Sequence, residues 1–206
     1  MTKTEMPYLS LAETESDYLI ASRREKCAQL LSQPELHEED MIELYIALHV
    51  VLEVGLNALL RRITLWHAQP AFDRREVINQ VDDINFKDKT ALFLYYGHFN
   101  FGQKTEQAKN HQSILKKMAH FSEIRNQLLH GHSISTFILE GQAHDSSVRR
   151  KMNPKTLAKQ IGLFRDIIQG MIFYLECLDL EGRPLDKEEL RKKYLDLSFL
   201  EKTKFN

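Results

Sequence analysis

The sequence predicts an all-α protein, an up-and-down helical bundle of four to five helices with a charged C-terminal tail helix. Two observations predict this fold class. Glycine (8) and proline (5), which interrupt regular structure, are scarce among the 206 residues. Apolar residues recur mostly at steps of three and four, the spacing of one face of a helix. We therefore expect a single helical domain over 1–206, with its core at about 37–180 and the tail helix at 186–203.

The first two helices are delimited by prolines. One helix is predicted at about 16–32, before Pro34, and a longer one from after His37 to near Trp66, before Pro70. Acidic residues open the second helix, where they suit the positive end of its dipole. Its predicted core face consists of Met41, Leu44, Leu48, Val51, Leu52, Leu59 and Ile63.

The stretch 73–103 is less regular. We expect a short helix at about 74–81, followed by the aromatic segment ALFLYYGHFNFG. A third strong helix is predicted at about 105–130, because apolar residues form a stripe along it: Ile114, Met118, Phe121, Ile124 and Leu128. Gly131 suits the left-handed position that follows a helix, which makes His130 the last residue of this helix.

The C-terminal part begins with ISTFIL, which is compatible with a short strand, and continues with a loop. A last long helix is predicted after Asn153, which caps it, with Pro154 at its first position. Gly182-Arg183-Pro184 ends this region, and the charged tail helix follows. The long helix carries a regular stripe, as expected for a packed bundle helix or one that shares a seam with a partner: Leu157, Ile161, Phe164, Ile168, Met171, Leu175 and Leu178.

Composition also bears on location. No uninterrupted apolar run reaches the roughly 18 residues of a membrane span. The N-terminal segment lacks the basic start and the apolar block of a signal peptide. Two cysteines, Cys27 and Cys177, make no disulfide or metal framework. We therefore expect a cytoplasmic protein with no membrane partner.

The net charge of −1 hides an uneven distribution. Residues 27–60 contain no lysine or arginine, and residues 146–165 contain no acidic residue. Either the two blocks face each other within the fold or across a dimer, or the basic block binds a polyanion such as RNA. The basic candidates for RNA binding are Arg149, Arg150, Lys151 and Lys155.

The segment EIRNQLLHGH, residues 123–132, contains the candidate catalytic residues. Arg125 and His130 lie about 140° apart on a continuous helix, but a helix that ends at His130 lets the imidazole approach the guanidinium. Asn126, four residues before His130, can help to fix it. Such a pair suits RNA cleavage without a metal, because histidine transfers protons near neutral pH and arginine stabilises charge on phosphate.

One histidine is fewer than the two proton-transfer groups from which this reaction benefits. Two chains meeting at this helix would supply two, so we predict a homodimer with a shared site. The attacking group is the ribose 2′-hydroxyl, and RNA rather than DNA is therefore the expected partner. We expect no metal or other cofactor, because the chain has no Glu-x-x-His pair and no clear third ligand accompanies His130 and His132.

The segment RNQLLHG, residues 125–131, resembles the Arg-x4–6-His signature of the HEPN superfamily in its Arg-Asn-x3-His form. Residues 48–57 resemble the earlier long helix of that family, in which a polar residue often approaches the arginine. The resemblance covers about 37–180. It implies a small helical bundle, and many members of the family are metal-independent endoribonucleases in toxin–antitoxin, phage-defence and RNA-processing systems.

The resemblance also implies roles for individual residues. Arg125 and His130 would be the catalytic pair, Asn126 a supporting residue, and Glu53 the group that orients Arg125, with Asn57 one turn further on. An antitoxin or regulatory partner is implied as well.

The Glu53 carboxylate lies within an apolar run and needs a partner in any case. Arg61 and Arg62 are the structural alternatives to Arg125. His132 occupies the place where one branch of the family has a tyrosine that a cognate antitoxin modifies, so that route of neutralisation is not expected here. His132 is either a second proton-transfer group or a loop residue.

Two functions stay open at this point: an endoribonuclease, and a non-catalytic helical module that binds a nucleotide or a protein partner. The aromatic run either stacks bases, as in proteins that bind single strands, or forms core beneath a loop, which is the commoner case. That run comprises Phe93, Tyr95, Tyr96, Phe99 and Phe101.

Overall fold

The computed structural model describes residues 7–67, 74–99, 105–129, 136–178 and 186–201. Within these ranges the chain forms seven α-helices and one two-stranded hairpin, and the predicted all-α helical bundle is confirmed. Two single-turn 3-10 helices lie at Arg149–Lys151 and Ser198–Leu200. The elements are α1 (Pro7–Leu31), α2 (Glu38–His67), α3 (Arg74–Asp83), α4 (Phe86–Phe99), α5 (Thr105–Leu129), β1 (Thr136–Leu139), β2 (Gln142–Asp145), α6 (Pro154–Cys177) and α7 (Lys187–Tyr194).

The centre of the bundle is α2, which contacts α1, α3, α4, α5, α6 and α7. All seven residues of its predicted core face are buried. The first four residues of the α5 stripe are buried and Leu128 is partly buried, and every residue of the α6 stripe is buried. The long helices therefore form where apolar residues recur at helical spacing, since burial of that face stabilises each helix.

The start of α6 also agrees with the prediction. The side chain of Asn153 accepts a hydrogen bond from the backbone N–H of Thr156 at 2.9 Å, and Pro154 lies in the first turn. This contact satisfies one of the backbone donors that every helix leaves free at its N-terminus.

Helix α3 agrees with the short helix predicted at about 74–81, whereas α4 arises where the sequence suggested only an irregular aromatic segment. Residues 74–99 form α3 and α4, separated by a short break, so the bundle has more helices than the expected four to five. Asn85 caps α4, because its Oδ1 accepts a hydrogen bond from the backbone N–H of Asp88 at 3.0 Å. Phe93 is buried on the core side, while Tyr95 is 56% exposed. Phe101 lies outside the described residues.

The ends of the chain differ from the prediction in two respects. Helix α1 begins at Pro7, well before residue 16. The tail helix is shorter than 186–203, because α7 ends at Tyr194. The Asp196 side chain then accepts hydrogen bonds from the backbone N–H and the hydroxyl of Ser198, the first residue of a separate 3-10 turn. Charged residues dominate α7, yet this region packs into the core through Leu190, Tyr194, Leu195 and Leu200.

The core consequently extends beyond 37–180 in both directions, since Ile20, Cys27 and Leu30 of α1 are also buried. At the other end, Gly55 of α2 lies so close to α7 that a Cβ atom there would be 3.0 Å from the carbonyl oxygen of Tyr194. Residues 186–201 are thus an integral part of the bundle.

The short strand that ISTFIL allowed is present as β1, which pairs with β2 in an antiparallel hairpin. The turn residues Glu140 and Gly141 have φ values of 52° and 77°. Two consecutive left-handed residues are what a tight two-residue hairpin turn requires.

Candidate active site

The α2 and α5 helices bring Glu53 and Arg125 together. The Glu53 Oε2 atom lies 3.6 Å from Arg125 Nη2, and both side chains are about one-third exposed, at 29% and 32%. The structural alternatives have other contacts: Arg61 binds Asp82 through two hydrogen bonds, and the Arg62 guanidinium lies 5.6 Å from the centroid of the Tyr194 ring. The carboxylate within the apolar run of α2 therefore faces the arginine of the motif.

Asn126 contributes a second contact to the same guanidinium. Arg125 Nη1 donates a hydrogen bond to the Oδ1 atom of Asn126 at 3.1 Å. Because the acceptor and the donor are neighbours on α5, the asparagine restricts the arginine from its own helix while Glu53 restricts it from α2. The planar fork of arginine suits two such contacts and leaves further N–H groups to bind an oxyanion.

His49 is a member of this site that the sequence did not single out. The side chain is buried, at 2% exposure. Its Nδ1 atom lies 3.5 Å from Glu53 Oε2, and its Nε2 atom lies 3.1 Å from Ser122 Oγ. The ring contacts Phe86, at a centroid distance of 4.8 Å, and is stacked on Phe121 at 5.8 Å.

Ser122, His49, Glu53 and Arg125 thus form one continuous line of contacts between α5 and α2, which we call the polar chain. Its electrostatics favour an ionised Glu53. The pKa of Glu53 lies below its usual value, first because His49 donates a hydrogen bond to the carboxylate and further because of the positive charges of Arg125 and Lys89; partial burial opposes this shift. At 3.5 Å the contact between His49 Nδ1 and Glu53 Oε2 is long for a hydrogen bond.

A sequence signal for His49 does exist. His49, Glu53 and Asn57 follow one another at steps of four, which places three polar residues along one side of the otherwise apolar stretch 46–60 of α2. The prediction considered only the last two. Asn57 does not join the polar chain: its Oδ1 atom is buried and has no hydrogen-bond partner among the described residues.

The polar chain has the residue types of a serine–histidine–carboxylate triad, but its surroundings do not suit acyl transfer. Ser122 lies inside α5, is only 8% exposed and has its neighbouring backbone N–H groups within the helix. Such N–H groups are bonded to carbonyls one turn back and cannot form an oxyanion hole. The polar chain is better suited to hold Glu53, and through it Arg125, in one orientation.

A cavity of about 360 Å³ adjoins the polar chain. Arg125, Asn126 and Ser122 of α5 and His49 of α2 contribute to its wall. The other lining residues come from α5 and from the start of α4: Asn85, Phe86, Lys87, Thr90, Leu115, Met118 and Ala119. The arginine of the motif therefore borders both a carboxylate and a space that a small molecule can enter.

The two histidines of the motif, His130 and His132, lie outside the described residues. The last described residue of α5 is Leu129, which is 58% exposed. The predicted approach of His130 to Arg125 therefore stays a prediction, as does the role of Gly131. No group of three or more potential metal ligands occurs in the part of the chain that the structure describes.

The four basic candidates for RNA binding differ in their contacts. Arg149 forms ion pairs with Glu38 at 3.6 Å and with Asp145 at 3.7 Å. The Lys151 Nζ atom binds Glu123 at 2.5 Å and Gln127 at 3.0 Å. The ion pair between Arg149 and Glu38 thus joins the basic block to the acidic block within the fold, as one of the two explanations of the uneven charge predicts, whereas Lys151 contacts α5.

Arg150 and Lys155, by contrast, are exposed. Their charged groups form no ion pair or side-chain hydrogen bond with any described residue. Of the four candidates, these two cations can bind a polyanion without losing a contact with a described residue.

Comparison with known proteins gives no significant match to a protein-family model, a curated protein or a solved structure. The HEPN resemblance therefore rests on residues 125–131 and 48–57 of the sequence alone.

Helix α2 includes a segment, Glu38–Thr64, that is long and apolar enough by length and composition to cross a membrane. In its most apolar window, 61% of the residues are buried within the bundle. A central core helix passes the same test, so this property does not decide where the protein resides.

Proposed function

We propose that this protein is a metal-independent endoribonuclease with a composite active site at a homodimer interface, acting in a toxin–antitoxin or phage-defence setting. One observation supports the proposal above the others: Glu53 and Asn126 hold the Arg125 guanidinium from two sides at the wall of a cavity, near the end of α5. A fixed cation beside an accessible space is what stabilisation of a phosphorane-like transition state requires.

A general base removes the proton of the ribose 2′-hydroxyl, and O2′ forms a bond to the adjacent phosphorus. The bond from phosphorus to O5′ breaks, and a general acid protonates O5′. The products are a 2′,3′-cyclic phosphate and a 5′-hydroxyl. His130 supplies a proton-transfer group, the partner chain supplies a second one, and Arg125 binds the charged phosphate oxygens.

The test is an RNA-cleavage assay in the presence of a metal chelator. We expect fragments with 2′,3′-cyclic phosphate and 5′-hydroxyl ends, and cleavage that falls by about 10²–10⁴-fold in His130→Ala, the range for loss of a general acid or base. Arg125→Ala should be similarly impaired. His120→Ala is a matched control, because His120 lies on α5 with its side chain 70% exposed and does not line the cavity.

Sedimentation of the wild type should show a dimer. Arg125→Ala and His130→Ala variants that fold and dimerise yet cleave RNA at the wild-type rate would falsify the enzymatic proposal.

The second candidate is a non-catalytic helical module that binds a nucleotide or a protein partner. It is favoured by the contacts of Arg125 with Glu53 and Asn126, which a purely structural ion pair would also show. For this function we expect no cleavage by the wild type under any condition in which it binds its partner.

A further inference from the structure

We infer that the cavity beside Arg125 binds one unpaired nucleotide of the RNA, with its base in the cavity and its phosphate on Arg125 and Lys87. This inference deepens the proposed function, on which it rests for the identity of the ligand as RNA. It assigns a base-binding site and, with it, a source of sequence preference.

The dimensions of the cavity fit a single nucleotide. Its volume of about 360 Å³ is at the small end of the range of about 300–1,000 Å³ for small-molecule sites. A base that is paired and stacked in a duplex is not available to enter such a space, whereas the bases of a single strand can turn into a pocket. The cavity thus selects single-stranded segments.

The wall combines apolar and cationic groups. Phe86, Leu115 and Met118 offer apolar surface for the face of a base, which stacks on such side chains without requiring a particular sequence. Arg125 and Lys87 are the cations of the lining, and no carboxylate belongs to it. An apolar surface with two adjacent cations is complementary to a base that carries a phosphate.

The Lys87 side chain is exposed and forms no hydrogen bond or ion pair with any residue that the structure describes. The two carboxylates that contact lining residues are already engaged: Glu53 by His49 and Arg125, and Asp88 by the amide of Asn85. The positive charge of Lys87 is therefore available for an anion.

Asn126 supplies a group that can distinguish bases. Its Oδ1 atom accepts a hydrogen bond from Arg125, and its amide N–H groups donate to none of the described residues. An amide donor at the edge of an apolar pocket favours bases with an acceptor at the matching position, as asparagine does in other nucleic-acid sites. We therefore expect unequal affinity for the four bases.

The test measures binding of the four nucleoside 3′-monophosphates and of inorganic phosphate to the full chain by calorimetry. At least one nucleotide should bind about tenfold to a hundredfold more tightly than phosphate, the range for one stacked base. Ala119→Leu, which fills the cavity from α5, should abolish this advantage without changing phosphate affinity. Lys87→Ala should weaken binding of both ligands.

Lys116→Leu is the matched control, because Lys116 is exposed on α5 and does not line the cavity; it should bind like the wild type. Circular dichroism establishes whether each variant is folded. If Ala119→Leu does not fold, Lys87→Ala still tests the inference. Equal affinity for nucleotides and phosphate, or nucleotide binding that neither Ala119→Leu nor Lys87→Ala reduces, overturns the inference.

The two proposals fail in different ways. A wild type that binds nucleotides through this cavity but never cleaves RNA retains the base site and loses the proposed catalysis. A wild type that cleaves RNA without any base preference, and whose cleavage Ala119→Leu leaves unchanged, retains catalysis and loses the base site.

Discussion

His49 and Arg125 approach the same atom: the imidazole Nδ1 lies 3.5 Å, and the guanidinium Nη2 3.6 Å, from Oε2 of Glu53. The histidine is buried and is fixed at its other nitrogen by Ser122, whereas the arginine is half-buried at the cavity wall. Glu53 is therefore a positioning residue that connects a rigid core contact to the group proposed to bind phosphate.

The first prediction concerns Glu53→Gln. The amide carries no charge to attract the guanidinium, so Arg125 becomes less restricted, and we expect kcat to fall by up to about 100-fold, the effect of a misplacement of about 1 Å. KM should change little, because the loss is mainly of transition-state stabilisation. The measurement is steady-state cleavage of a short single-stranded RNA.

Glu53→Asp keeps the charge and should recover part of kcat. Glu123→Gln is the matched control, since this carboxylate binds Lys151 rather than Arg125. A loss of the same size in both glutamine variants, with no recovery in Glu53→Asp, would contradict the positioning role.

The second prediction concerns acid stability. Because the folded-state pKa of Glu53 is lowered, the unfolded chain binds more protons than the folded one as pH falls through the ordinary value of 4.5. The stabilisation from Glu53 is thus complete above pH 4.5 and is lost below it. The wild type should be more stable than Glu53→Gln at neutral pH, and the difference should shrink on acidification.

The stability difference between the wild type and Glu53→Gln is measured by urea unfolding at about pH 7 and at about pH 3.5, which lie on either side of the ordinary pKa of glutamate. Glu123 and Asp196 have lowered pKa values too, so Glu53→Gln retains part of the acid sensitivity. If the difference between wild type and variant were the same at both pH values, the ionisation of Glu53 would not contribute.

The sequence predicted the helices that bury one continuous apolar face. In α6, for example, seven apolar residues from Leu157 to Leu178 are enough to place the helix and its buried side. The aromatic segment ALFLYYGHFNFG concealed α4, and charged residues concealed the burial of Leu190 and Tyr194 in α7. In both cases burial depends on residues distant in sequence, which periodicity does not report.

In the candidate site, too, a local sequence pattern predicted one contact, whereas another depends on residues distant in sequence. The pairing of Glu53 with Arg125 was among the expected alternatives because a carboxylate in an apolar run needs a cation. His49 was missed because its decisive partner, Ser122, lies 73 positions away along the chain. Only the fold brings that hydroxyl to the imidazole.

The third prediction separates the basic residues 149–155 by their contacts. Arg150 and Lys155 are exposed and have charged groups without partners among the described residues, so the double variant Arg150→Ala/Lys155→Ala should weaken RNA binding. The slope of log affinity against log salt should fall in magnitude by about 1.4, or about 0.7 for each lost phosphate contact on a single strand. Binding is measured by fluorescence anisotropy at several salt concentrations.

Lys151→Ala should instead lower stability, because Lys151 joins Glu123 and Gln127 of α5, and should change the salt slope less. Lys192→Ala, an exposed lysine of α7, is the control for a general loss of positive charge. A control that weakens RNA binding as much as the double variant would exclude a specific role for the basic segment.

The last prediction compares two glycines within helices. A Cβ at Gly162 of α6 meets nothing within 4 Å, whereas a Cβ at Gly55 of α2 lies 3.0 Å from the Tyr194 carbonyl oxygen. Alanine is favoured over glycine in a helix by about 1 kcal/mol, so Gly162→Ala should raise the free energy of unfolding by up to that amount. Gly55→Ala gains the same propensity but must displace backbone, and overpacking costs about 1–3 kcal/mol.

The two substitutions should therefore have opposite signs in urea unfolding, with similar m-values. The comparison also tests the docking of α7, because only that contact makes Gly55 different from a solvent-facing helical glycine. If Gly55→Ala stabilised the protein as Gly162→Ala does, the Tyr194 carbonyl would have to move away from α2 at little energetic cost, and the close approach would not restrict this position.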